Sequence, residues 1–128
     1  MIVLDTHVWI WWATEERRLS KGAHRRIEAA GRIGVCSISV WEVAMLVERG
    51  RLKLDRDVLE WVLAALGLPK VALLDLTPEI AVRSTRPGGG FHGDPADRII
   101  VATALEHRAP LVTRDERIRR HGSIEAVW

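Results

Sequence analysis

The stretch GDPADRIIVATAL, residues 93–105, places Asp94 and Asp97 one helical turn apart, directly ahead of a run apolar enough to be buried. Comparable acids recur elsewhere: Asp5 follows IVL, Glu42 lies within the apolar ISVWEVAMLV, and Asp115 follows LVTR. Carboxylates that meet raise one another's pKa and destabilise a fold unless a cation compensates. An all-oxygen donor set with few protein ligands suits Mg2+ or Mn2+, which retain water and accept phosphate oxygens. Zinc would want thiolate or imidazole ligands, and His7, His24, His92, His107 and His121 show no metal-ligand spacing with each other or with Cys36. They read instead as solvated or locally bonded side chains.

Each acid also has a purely local use. Asp94 has the profile of a helix N-cap, with Pro95 at the first helical position where no N–H is needed. Asp97 then falls at the third position, where an acid completes a capping box and faces the positive end of the helix. Asp5 fits a turn after a strand, and Asp115 fits a cap for the short ERIRR helix. Ser39-x-x-Glu42 has capping-box spacing, although apolar neighbours on both sides make Glu42 harder to dismiss. Asp75, in VALLDLTPE, reads as a turn residue because Thr77 and Pro78 supply the next helix start. Chemistry therefore depends on whether the fold brings the acids together.

The elements that must do so are short apolar runs separated by helical patterns. IVL at 2–4, IGVCSI at 33–38, VALL at 71–74 and LVT at 111–113 read as buried strands, with the terminal IEAVW a possible fifth. Between them lie HVWIWWATEE, residues 20–30 opened by Ser20, SVWEVAMLVERG closed by Gly50, RDVLEWVLAALG closed by Gly67, TPEIAVRSTR, and a helix over 94–108. Alternation of this kind implies βαβ units, hence an α/β fold with a mostly parallel sheet covered on both faces. Ligands gather beyond the carboxyl ends of such strands. Asp5, Glu42, Asp97 and Asp115 are all expected at that edge. The glycine-rich RPGGGFHG, residues 86–93, lacks G-x-G-x-x-G spacing and reads as a flexible loop leading into Asp94.

With 128 residues the chain is expected to form one domain, residues 1–128. Its 48% apolar and 28% charged content is that of a soluble globular protein. The longest stretches free of Asp, Glu, Lys and Arg are nine residues, too short to span a bilayer, and Asp5 interrupts any secretory h-region. A lone Cys36 excludes an internal disulfide and reads as a small core residue of a reduced, cytoplasmic protein. The net charge of +2 excludes a strongly basic nucleic-acid coat, yet sixteen arginines stand against three lysines. That bias fits phosphate recognition, and equally a GC-rich coding sequence.

VLDTHVWIWW with Asp5, SISVWE with Glu42, DPADRIIVATA with Asp97 and LVTRDERI with Asp115 together resemble the PIN domain, specifically the VapC-type toxins of bacterial toxin–antitoxin systems. The resemblance runs over essentially the whole chain. It implies a Rossmann-like α/β/α sandwich, a Mg2+- or Mn2+-dependent ribonuclease, a homodimer, and a VapB-like antitoxin as partner. It implies Asp5, Glu42, Asp97 and Asp115 as the acidic site, with Asp5 and Asp97 on the ion and Glu42 and Asp115 acting through water or a second ion. Thr6 and Thr113 stand where the family often carries a hydroxyl, and Asp94 remains a cap that lends charge.

An acidic pocket repels RNA, so flanking cations are needed; Arg98, Arg114, Arg117, Arg119 and Arg120 are the candidates. Trp9, Trp11 and Trp12 cannot all face inward from one helix, so some are expected to meet a partner. The resemblance puts the antitoxin along residues 8–14 and 39–66. Two other readings stay open: a housekeeping nuclease or Rossmann-like phosphatase sharing acidic strand ends, and a non-catalytic nucleic-acid-binding module. A dehalogenase-type phosphatase would want Asp-x-Asp after the first strand, and DTH lacks the second acid.

Overall fold

Parallel strands can pair only through crossovers, and this chain supplies a helix at nearly every one. The computed structural model describes residues 1–86 and 93–128. In order they form β1 (Ile2–Leu4), α1 (Thr6–Thr14), a 3-10 turn (Glu16–Arg18), α2 (Lys21–Ala29), β2 (Ile33–Cys36), α3 (Ser37–Glu48), α4 (Val58–Leu66), β3 (Val71–Leu74), α5 (Pro78–Ser84), α6 (Pro95–Glu106), β4 (Leu111–Val112), α7 (Glu116–His121) and β5 (Ala126–Val127). The loop expected at 86–93 and His92 fall largely outside the described residues.

The sheet order is β3-β2-β1-β4-β5, and every pairing is parallel. The chain winds outward from β1 through β2 to β3, then returns to β4 on the other side. Between β1 and β4 the winding reverses, and their carboxyl ends open a crevice there. Leu4 pairs with Val35 on one side and Val112 on the other, which sets Asp5 beside Thr113.

Alternation along the strands divides the core into two layers. Ile2, Leu4, Ile33, Val35 and Val112 pack with Val8, Trp9, Ile27, Val43, Trp61 and Val62 from α1 to α4. Val3, Cys36, Leu74 and Leu111 pack with Ile100, Val101, Ala104 and Ile118 from α6 and α7. Gly34 in β2 lets the Leu74 side chain pack close, since a Cβ there would lie 2.5 Å from a Leu74 methyl and force it to shift. Among the described residues no helix is long and apolar enough to cross a membrane.

Three sequence expectations need correction. β2 stops at Cys36 instead of running to residue 38, since α3 begins at Ser37 with no intervening loop. β4 stops at Val112, leaving Thr113 at its end. Trp9 and Trp11 do not face a partner: they are 0% and 9% exposed, and Trp12 is half-buried against the same core. α1 is apolar over most of its length because most of it is enclosed, with His7 and Thr14 left exposed at its two ends. Trp9 meets Trp61 with ring centroids 5.2 Å apart, and Trp128 closes over Trp11 from the chain's end at 6.0 Å. The tryptophan left in solvent is Trp41 on α3, 56% exposed.

Candidate active site

The first residue after β1 is the N-cap of α1: Asp5 Oδ1 accepts from the Thr6 N–H at 2.8 Å. Its Oδ2 accepts from the Thr113 hydroxyl at 2.6 Å, and its N–H donates to the Val112 carbonyl at 3.0 Å. Thr113 is fully buried and uses its hydroxyl twice, also accepting from the Asp115 N–H at 3.0 Å. One hydroxyl thus ties the acid after β1 to the acid after β4. Burial pushes the Asp5 carboxyl up, the Thr113 and Thr6 hydrogen bonds oppose it, and the Asp115 charge adds to the rise.

Glu42, in the second turn of α3, accepts from Thr6 Oγ1 at 2.5 Å. Thr6 Oγ1 also lies 2.8 Å from Ser39 Oγ. A hydroxyl carries one proton, so with that of Thr6 on the carboxylate, Ser39 is the donor to Thr6. Ser39 is fully buried inside α3, and the capping box that Ser39-x-x-Glu42 suggested does not form. The helix starts too early: Cys36 is its cap and contributes no side-chain bond. Burial raises the Glu42 carboxyl, against the Thr6 hydrogen bond and with help from Asp5 and Asp94.

Asp94 caps α6 as expected, its Oδ1 accepting from the Asp97 N–H at 2.8 Å. The Asp97 side chain, 17% exposed, is pushed up to about 7, first by burial and then by Asp94, Asp5, Asp115 and Glu42 in turn. Asp115 goes the other way. It caps α7 through the Arg117 N–H at 2.9 Å, and the Arg117 fork grips both of its oxygens at 3.3 and 2.9 Å, holding it below the usual carboxylate range. Arg117 also reaches Asp97 Oδ2, but at 3.5 Å, too loosely to offset the carboxylates around that residue.

A cleft of about 450 Å3 at the carboxyl edge of the sheet is lined by Asp5, Glu42, Asp94, Asp97 and Asp115 together with His7, Trp11, Arg114 and Arg117. All four acids expected at the edge therefore share one concavity, with Asp94 beside them and Thr6 and Thr113 behind. Among the described residues no group of three or more His, Cys, Asp or Glu side chains is placed to hold a metal ion as it stands. A cation entering here would take at most two carboxylates directly and keep water elsewhere, which is the habit of Mg2+. The oxygen-only donors and the raised carboxyls fit a hard dication of that kind.

The arginines divide. Arg117 rests on the acids, Arg120 pairs with Glu116 at 3.0 Å, and Arg98 Nε donates to the Gly93 carbonyl at 2.9 Å. Arg119 is exposed. Arg114 lies over the Trp11 ring, 5.9 Å from its centroid, and the same ring carries Arg18 at 4.5 Å. Sequence reasoning passed over Ser39 and Arg18. The first was hidden by a plausible capping motif, and the second lies far along the chain from every acidic segment but the first.

A PIN-domain family model matches residues 2–123. Ribonuclease VapC22 of Mycobacterium tuberculosis is 43% identical over 129 residues, covering 99% of this chain and 98% of that protein. A toxin–antitoxin complex from Klebsiella pneumoniae shares the fold with a TM-score of 0.72 at 21% identity, covering 100% of this chain and 97% of its counterpart. VapBC2 from Rickettsia felis, solved bound to a DNA fragment from its promoter, gives 0.72 at 17% identity over 98% of this chain and 97% of that one. An all-parallel sheet with an acidic cleft at its reversal point, the family match over nearly the whole chain and a close relative of equal length agree: this chain belongs to the PIN-domain family, in its VapC branch.

Proposed function

We propose that this chain is a divalent-metal-dependent ribonuclease and the toxin of a toxin–antitoxin pair, working in the cytoplasm as a homodimer and held inactive by a cognate VapB-like antitoxin. The observation that carries the reading is the sharing of one cleft by Asp5, Glu42, Asp97 and Asp115, acids remote in sequence, with Asp97 pushed up to about 7 by burial and then by the carboxylates around it. Capping accounts for Asp5 and Asp115 at this edge but gives no reason for Asp97 and Glu42 to join them. The 43% identity to a protein named a ribonuclease supports the activity, and fold neighbours solved as toxin–antitoxin complexes support the partner. Exposed Trp41 on α3 and Leu59 and Leu63 on α4 lie in the segments where such a partner is expected.

Asp5 and Asp97 would hold Mg2+ or Mn2+, which when bound lowers the pKa of a water and polarises a phosphate. The chain's own residues set the geometry. Thr113 fixes the rotamer of Asp5, and Thr6, backed by Ser39, fixes Oε1 of Glu42. Glu42 lines the cleft with its Oε2 free of hydrogen bonds among the described residues, so that oxygen is placed to take a proton from the attacking water. Asp115 orients water from the far wall while Arg117 keeps it ionised. Arg114 and Arg117 in the cleft lining, with Arg98, Arg119 and Arg120 from the neighbouring helices α6 and α7, would provide positive charge for the RNA strand.

Incubating the purified chain with single-stranded RNA tests this directly. Cleavage should require Mg2+ or Mn2+, stop with chelator, and be lost in Asp5→Asn without loss of fold. A folded wild-type protein that leaves RNA intact with either ion defeats the reading.

A further inference from the structure

We propose that Arg18 and Arg114, seated together on the indole of Trp11, form a phosphate subsite that grips the RNA backbone next to the bond being cut. The identity of the strand as RNA rests on the ribonuclease reading; the subsite itself rests on the geometry of three side chains. Trp11 lines the acidic cleft and is 9% exposed, its ring braced by His7 at 5.9 Å and by Trp128 at 6.0 Å. Arg18 arrives from the 3-10 turn and Arg114 from the loop after β4, placing guanidinium carbons 4.5 and 5.9 Å from the ring centroid. Those distances allow the two guanidinium carbons to lie at most about 10.4 Å apart.

Both side chains are exposed, and among the described residues neither forms an ion pair, although Arg26, Arg83, Arg117 and Arg120 all do. The ring quadrupole attracts each of them but cannot neutralise either. Neither fork of N–H donors is neutralised by an acid among the described residues, and phosphate matches such a fork in shape and charge. With the guanidinium groups over it and the rings of His7 and Trp128 beside it, the Trp11 ring presents cations instead of stacking a base. Arg114 directly precedes Asp115 and lines the cleft with it, so a phosphate held there belongs to a nucleotide flanking the scissile one. The strand is repelled by the acids and must be held from this rim. Substrates that end at the scissile phosphate would forgo the subsite.

The test uses Arg18→Ala, Arg114→Ala and the double variant, with Arg51→Ala, an exposed arginine outside the cleft lining, as control. In cleavage assays on an RNA oligonucleotide, each single variant should raise KM roughly 3- to 10-fold with kcat within about 2-fold, and lower the salt dependence of kcat/KM by about one ion. Arg51→Ala should change neither. Binding of fluorescent RNA to full-length Asp97→Asn protein, with and without the two arginine changes, reads the same subsite without cleavage. Equal RNA affinity with and without Arg18 and Arg114 overturns the proposal. Arginine-dependent binding by a wild-type chain that never cuts RNA would keep the subsite and sink the ribonuclease reading instead.

Discussion

Asp97→Asn should make the metal-free protein more stable while abolishing its activity. Asp97 holds its proton up to about 7 in the folded chain against an ordinary 3.8. Between those values the native state binds a proton that the unfolded chain has released, so stability is highest at low pH and falls as pH rises through the window. A displacement of that size corresponds to about 4 kcal/mol when the group is fully ionised. Water on the 17% exposed side chain and the Arg117 contact at 3.5 Å reduce it, leaving an expected loss of about 2–4 kcal/mol by pH 8. Asparagine carries no charge at any pH and escapes this loss. Against that stands the favourable acid at a helix N-terminus that the variant gives up, worth only about 0.3–1 kcal/mol, so crowding wins.

Urea unfolding in chelator from pH 4.5 to 8.5 reads the effect. Wild type and variant should be of similar stability at the acid end and diverge upward, with the variant losing about one proton's worth of slope, at most about 1.4 kcal/mol per pH unit. Added Mg2+ should then stabilise wild type by about 2.7 kcal/mol at one hundred times its Kd and the variant far less. An Asn variant no more stable than wild type at pH 8, with an unchanged slope, would refute the claim that the acids repel one another in this cleft.

Thr113→Val keeps the shape of a fully buried side chain but leaves Asp5 Oδ2 and the Asp115 N–H without their shared partner. Cleavage should fall at least about 10-fold, read as kcat, with a stability loss of about 1–3 kcal/mol in urea. Trp9→Leu opens a void at the most enclosed aromatic, against Trp61, and should cost about 2–4 kcal/mol by urea titration.

What the sequence made legible was whatever a local pattern determines. The strands announce themselves as short apolar runs, Ser20, Thr77 and Asp94 cap the helices they were expected to cap, and the αβ alternation fixes a parallel sheet. Convergence of Asp5, Glu42 and Asp115 followed from that alternation, because every strand of a parallel sheet ends at the same edge, and Asp97 joined them in the first turn of the helix that leads into β4. The failures arise where a tertiary neighbour decides. The Ser39-x-x-Glu42 spacing is a sound capping pattern, but Thr6, thirty-three residues from Ser39, claims the serine and the glutamate together. Trp9 and Trp11 looked surplus to one helix face because the sequence does not say that α1 packs on more than one side, with Trp61 against Trp9 and Trp128 against Trp11.

Capping and chemistry, posed at the outset as rivals, turn out to be one arrangement. Asp5, Asp94 and Asp115 each cap a helix, and each cap points its carboxylate at the same cleft because α1, α6 and α7 all begin at the carboxyl edge of the sheet. The cap hydrogen bonds hold the carboxylates in place, and the three helix N-termini partly offset the charge of bringing them together. Asp97 and Glu42 are the departures from that economy. Neither caps a helix, and each, like Asp5, is pushed up chiefly by burial in a cleft already negative. An acid that burial and its neighbours penalise, with no helix to cap in return, has no folding reason for its place. On that ground the catalytic reading proposed above rests on Asp97 and Glu42 more than on the acids that cap helices.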